Sequence, residues 1–271
     1  MTISTVHPLI IYPESDGKPM ADNTRQFRLI TKIQGGLDAL FKDQPKVFVA
    51  GDLFWYPVEK EPNIKQAPDV MVVFGRPKGD RRSYKQWFEE NIAPQVVFEI
   101  ASKSNTKVEL EETKLEFYQD YGVEEYYVYY PEKGIVKGWL RRGSILEEIP
   151  SMSGWVSPRM SVRFEIEDKE LELYSPDGER FETFVEIIEG LQLQKQRAEL
   201  ERQRAEQAEG ERDAEAAARQ QAEGERDTEA AARQQAEGVR SETVDLLCGL
   251  LLFHILIQQR LNRYSAENNY F

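Results

Sequence analysis

The chain has 271 residues and a net charge of −13. That length serves one domain with a sizeable core plus an extension, and that charge argues against adhesion to nucleic acid across the whole surface, though not against a local basic patch. One cysteine, Cys248, excludes an intrachain disulfide framework and fits a reducing, cytoplasmic setting, and the first residues lack the basic and apolar runs of a signal peptide.

In chain order, Asn23 is placed to cap a helix running to about Phe41, with Phe27, Ile30, Ile33, Leu37 and Phe41 along one face. Residues 47–50 and 53–58 read as a hairpin-like pair of strands. Pro68 then opens an apolar strand with Asp69 at its start, followed by a loop and a short helix over 83–91. Pro94 opens a second apolar strand, which carries Glu99. A helix over about 107–121 ends at Gly122, and a strand follows over 125–130. Residues 134–140 and 145–149 read as a hairpin around Arg142 and Gly143, and strands over 162–166 and 171–174 close the domain. The pattern predicts an α/β, α+β-like fold: a mixed sheet flanked by helices, with one βαβ crossover.

Composition divides the chain into residues 1–190, 191–242 and 243–271. The middle part is almost only Ala, Glu, Gln, Arg, Asp and Gly, and residues 208–221 recur as 222–235 with Thr228 in place of Ala214. A period of 14 residues is two heptads and keeps one helical face in register, so a long helical, coiled-coil tail is expected. Its apolar positions are mostly alanines, and Gly210, Gly224 and Gly238 each cost about 1 kcal/mol in a helix. A self-associating stalk and a solvated helical tail are both open. The run over 244–257 is strongly apolar but shorter than the ~20 residues that span a bilayer. No transmembrane span is read there, and packing against a second copy is the plainer use.

Chemistry concentrates on two carboxylates. An ionised carboxylate on a buried strand is costly unless it is paired or binds a metal. Asp69 and Glu99 converge if their strands are neighbours, and Lys114 follows downstream. Mg²⁺, or Mn²⁺ in its place, suits such a site because it takes hard oxygens and uses only one or two carboxylates. The bland alternative has Asp69 capping a turn after Pro68 and Glu99 paired with a core lysine or arginine.

These residues, with Ile100-Ala101-Ser102, the Lys114–Tyr118 run, the Tyr121–Tyr127 run, a flanking segment over 12–20 and another over 154–159, resemble the Uma2 family, also called DUF820. That family is a prokaryotic branch of the PD-(D/E)XK, or restriction endonuclease-like, superfamily. The resemblance implies a Mg²⁺-dependent endonuclease that hydrolyses DNA phosphodiesters with metal-activated water. It makes Asp69 and Glu99 metal ligands, adds the Ile100 carbonyl, and moves the usual lysine to Lys114 on the following helix. Two departures stand out. The Ser102-to-Lys114 spacing is one residue longer than the family leads one to expect, and Lys103 stands where proline is common, so Lys103 and Lys107 stay open as the lysine. Glu14 is a further candidate carboxylate, and Tyr130 takes a place where aspartate is common.

For DNA contact, the loop after the Asp69 strand offers Arg76, Lys78, Arg81, Arg82 and Lys85, interleaved with Tyr84 and Trp87. The alternative is a surface loop whose charges offset Asp80, Glu89 and Glu90. A homo-oligomer held by the core or the C-terminal helix is expected. The rival function is a non-catalytic nuclease-fold scaffold that recruits a partner through its tail.

Overall fold

A computed structural model describes residues 10–15, 17 and 21–267. The expectation of no leader, and residues 16 and 18–20 of the N-terminal motif, lie outside the described residues. The chain divides into two compact units, one ending at Leu191 and the other starting at Gln192.

In the first unit, α1 (Thr24–Leu40) is capped by the Asn23 side chain, which accepts from the Gln26 N–H. It buries Ile30, Ile33 and Leu37. The strands are β1 (Val47–Ala50), β2 (Trp55–Tyr56), β3 (Val70–Phe74), β4 (Tyr84–Lys85), β5 (Val96–Ile100), β6 (Glu125–Tyr130), β7 (Ile135–Arg142), β8 (Ile145–Glu148), β9 (Arg163–Glu167) and β10 (Glu170–Tyr174). Helix α2 (Lys114–Asp120) links β5 to β6. Six strands form one mixed sheet in the order β1-β3-β5-β6-β7-β8, with β5 and β6 parallel and the other pairs antiparallel. The expected mixed α/β sheet with flanking helices is therefore observed.

Both faces of the sheet are covered. Val70, Val72, Phe98, Ile100, Tyr127 and Tyr129 pack under α1 and the β9–β10 hairpin. Met71, Val73, Val97, Tyr126 and Val128 face the opposite side, under Leu110, Tyr118, Trp55 and Tyr84. This strict alternation follows from the two-residue period of a strand, and burial on both faces explains the continuous apolar runs. The β9–β10 hairpin turns through Asp168 and Lys169, both at positive φ, as a two-residue turn that matches strand twist requires.

Three local expectations are corrected. Residues 47–50 and 53–58 do not form a hairpin. β1 pairs with β3, whereas the two-residue β2 leaves the sheet and pairs in parallel with β4. The chain departs at Asp52, whose positive φ and N–H bonds to the Pro68 and Asp69 carbonyls turn it away. The helix expected over 83–91 is instead β4 followed by a single 3₁₀ turn, Gln86–Phe88. Tyr84 N–H bonds to the Phe54 carbonyl and Trp55 Nε1 donates to Gln86 Oε1, so tertiary partners hold the segment extended. The helix expected over 107–121 is also interrupted: Glu109–Thr113 form a π turn before α2.

The second unit consists of the rest of α3 (Phe184–Glu267), which starts before Leu191 and runs unbroken through both tail segments. A capping box starts it: Thr183 N–H and Oγ donate to Glu186, whose own N–H returns to Thr183 Oγ. Glu215–Arg219 and Glu229–Arg233 form i,i+4 pairs at equivalent places in the two repeat copies. Side chains from Leu191 to Asn262 are exposed, including Leu193 and Leu200. One 18-residue window of the helix, with mean hydropathy 1.5, is long and apolar enough by composition alone to cross a membrane. It is longer than the apolar run over 244–257 from which no span was read.

Candidate active site

Strand parity brings the two carboxylates to one face. Asp69 precedes β3 in register with Met71 and Val73, and Glu99 shares its face of β5 with Val97. The pairing of Val70 with Phe98 sets Asp69 opposite Glu99. Asp69 Oδ2 accepts from the Ile100 N–H at 2.6 Å. Glu99 is 3 % exposed. Its two oxygens are separately engaged: Oε2 lies 2.8 Å from Lys114 Nζ, and Oε1 accepts from the Tyr118 hydroxyl at 2.5 Å. Lys114 and Tyr118 sit one turn apart on α2, the helix that covers this face.

Asp69, Glu99 and Lys114 line a polar cavity of about 530 Å³, together with Asp22, Gln26, Asp52, Lys65, Asn105 and Glu109. Withdrawal from water, then the charge of Glu99, pushes the Asp69 carboxyl up to about 8, against the Ile100 N–H and Lys114. Burial pulls the Lys114 ammonium down, but Glu99 and Asp69 outweigh it and hold the pKa above its ordinary value. Burial and then Glu99 likewise raise the Tyr118 phenol, which stays a donor. The arrangement is a cation flanked by two carboxylates, with one carboxylate short of countercharge.

Of the three lysines left open, the structure brings only Lys114 to Glu99. Lys103 and Lys107 line a neighbouring cavity, where Lys107 pairs with Glu111 at 3.6 Å. Tyr130 also faces that cavity and donates to Glu111. The Ile100 carbonyl accepts from Gln26 Nε2 at 2.8 Å, so one of its lone pairs is used. Glu14 pairs with Arg82 at 2.6 Å.

The basic loop is not gathered at the carboxylates. It follows the far end of β3, five residues from Asp69, or about 16 Å of strand. Arg76 pairs with Glu89 and Glu90, Arg81 with Glu89, and Lys78 with Asp38, while Lys85 lies over the Tyr12 ring. Gln26 was not singled out from the sequence. Its signal was present, because Asn23 and Gln26 stand three apart in the spacing of a capping box. Its Oε1 does reach back, to the Asp22 N–H, while its Nε2 fixes the Ile100 peptide.

The Uma2 family model, described as "Putative restriction endonuclease", matches residues 15–210. The chain belongs to the Uma2 family. That match contains every strand among the described residues and continues into α3. Among solved structures, a "putative nuclease belonging to DUF820" from Anabaena variabilis is similar at 14 % identity, over 52 % of this chain and 74 % of that one, with a TM-score of 0.37. No curated protein matches this Uma2 chain.

Proposed function

We propose that this Uma2 chain is a divalent-metal-dependent endonuclease hydrolysing DNA phosphodiester bonds, with Asp69 and Glu99 as the metal ligands and Lys114 as the catalytic lysine. The observation that carries the reading is the convergence of Asp69, Glu99 and Lys114 from three elements into one polar cavity.

The donor set fits a hard cation. Asp69 and Glu99 supply carboxylate oxygens, the Ile100 carbonyl keeps a second lone pair, and among the described residues no thiolate or imidazole lines the cavity. Among the described residues no three His, Cys, Asp or Glu side chains cluster as a closed metal cage, so water and phosphate oxygens would complete the shell of Mg²⁺ or Mn²⁺. Such an ion supplies Lewis-acid charge at a phosphate oxygen and lowers the pKa of a bound water. Lys114 places a fixed ammonium where negative charge develops on the phosphate. Tyr118 orients Glu99 through its hydroxyl, Gln26 holds the Ile100 carbonyl, and the Ile100 N–H anchors Asp69.

One observation favours the rival reading of a non-catalytic scaffold. Both Glu99 oxygens already have protein partners, so the Glu99–Lys114 pair is self-sufficient as a core ion pair. Calorimetric titration with Mn²⁺ separates the two. The nuclease reading expects binding by the wild type and its loss in Asp69→Ala. A folded wild type that takes up no Mn²⁺ favours the scaffold.

A further inference from the structure

The C-terminal ends of the parallel pair β5 and β6 open onto a second cavity, of about 430 Å³, beside the carboxylates. Asn105 lines both cavities, and the Ser102–Asn105 turn forms the wall between them. That turn is held by its own bonds, from the Ser102 N–H and hydroxyl to Asn105 Oδ1. Crevices outside the carboxyl ends of parallel strands are favoured ligand sites in α/β sheets.

The lining is unlike the rest of this acidic chain. Lys103, Lys107, Lys133 and Lys137 face Glu111 and Glu132. Lys107 and Lys137 share Glu111, at 3.6 and 2.7 Å, and Lys137 also reaches Glu148. Lys103 and Lys133 are exposed and form no ion pair among the described residues, although Lys133 lies over the Tyr130 ring at 5.6 Å. The basic loop after β3, in contrast, has most of its cations neutralised by neighbouring acids.

Resting on the nuclease reading above, we infer that this lysine-lined cavity is the anion subsite for the substrate strand, with Lys103 and Lys133 holding backbone phosphates that flank the one at Asp69 and Glu99. The ligand is a nucleic-acid strand recognised through phosphate, without base specificity. The Ser102–Asn105 turn then sets the path of the strand from one cavity to the other.

The test is fluorescence anisotropy of the full-length protein with a labelled DNA duplex and the matching single strand, in Ca²⁺, over a series of salt concentrations. Lys103→Ala/Lys133→Ala is compared with the wild type and with Lys42→Ala/Lys46→Ala, and metal-dependent cleavage by the wild type is recorded alongside. The expected result is weaker binding by the Lys103/Lys133 variant, with a slope of log K against log salt shallower per lost phosphate contact by about 0.9 on the duplex and about 0.7 on the single strand, and no change in the Lys42/Lys46 control. Wild-type affinity and slope in the Lys103/Lys133 variant, with cleavage intact, overturn the subsite and leave the nuclease reading standing. A wild type that neither binds nor cuts DNA overturns both.

Discussion

Lys114 Nζ stands 2.8 Å from Glu99 Oε2, with a π turn, Glu109–Thr113, immediately before Lys114. A π turn takes up one more residue than an α turn closing the same gap. If the Ser102-to-Lys114 segment carries the one extra residue that the family resemblance implies, this turn is where we propose the helix absorbs it. Deleting exposed Glu112 is therefore expected to convert the turn to α geometry and keep Lys114 on Glu99, with stability within about 1 kcal/mol of wild type. Inserting one alanine after Glu112 turns Lys114 away and abolishes cleavage. Equal damage from both changes, measured by denaturant unfolding and cleavage, contradicts this account of the turn.

The Glu99–Lys114 pair also predicts a stability pattern. Lys114→Met leaves Glu99 buried beside Tyr118 without a countercharge, and the expected loss is roughly 3 kcal/mol in denaturant unfolding. Glu99→Gln/Lys114→Met removes both charges and recovers most of that loss, while cleavage stays absent. A double variant as unstable as the single one argues against charge as the cause.

Asp69 sets a pH dependence in metal-free protein. Its carboxyl is raised from 3.8 to about 8, by desolvation first and Glu99 second. Between those values the folded chain holds a proton that the unfolded chain has released. The contribution to stability is full below the unfolded value and is lost as pH rises through the folded one. Stability without metal is expected to fall from pH 5 to pH 8.5, and Asp69→Asn flattens the slope. Because the cation competes with that proton, the thermal shift given by Mg²⁺ grows over the same range. A Mg²⁺ shift that shrinks with rising pH contradicts the assignment of Asp69 as ligand.

The C-terminal unit leads to a prediction about mass. Leu246, Leu247, Leu250, Leu251, Leu252 and Phe253 are all exposed on α3, and large apolar patches left exposed mark interaction surfaces. Light scattering of full-length protein is expected to give an oligomer, and removal of residues 192–271 a smaller one. An unchanged number of protomers makes the tail a bystander to assembly.

The central strands and the two carboxylates were legible because a strand has a period of two. Met71 and Val73 fix the face of Asp69, and Val97 fixes that of Glu99, so the shared face is written in the local pattern, and the β3–β5 pairing completes the convergence. Lys114 was legible as a downstream cation, and its role came from the resemblance, since no periodicity shows that a π turn will carry it to Glu99. The partner of β1 was not legible, because Val47–Ala50 fits a neighbouring strand on either side and only Asp52 decides. Nor was the pairing of the basic loop's cations. Arg76, Lys78, Arg81 and Arg82 pair with Glu89, Glu90, Asp38 and Glu14, and those partners are set by the tertiary fold.

The most direct measurement is cleavage of supercoiled plasmid by the purified full-length chain in Mg²⁺, in Mn²⁺ and in EDTA, beside Asp69→Asn and Glu99→Gln. Nicked or linear product is expected with the wild type in metal alone, and none with either variant, both variants keeping a cooperative unfolding transition. Cleavage that persists in EDTA, or at wild-type rate in either variant, contradicts this expectation.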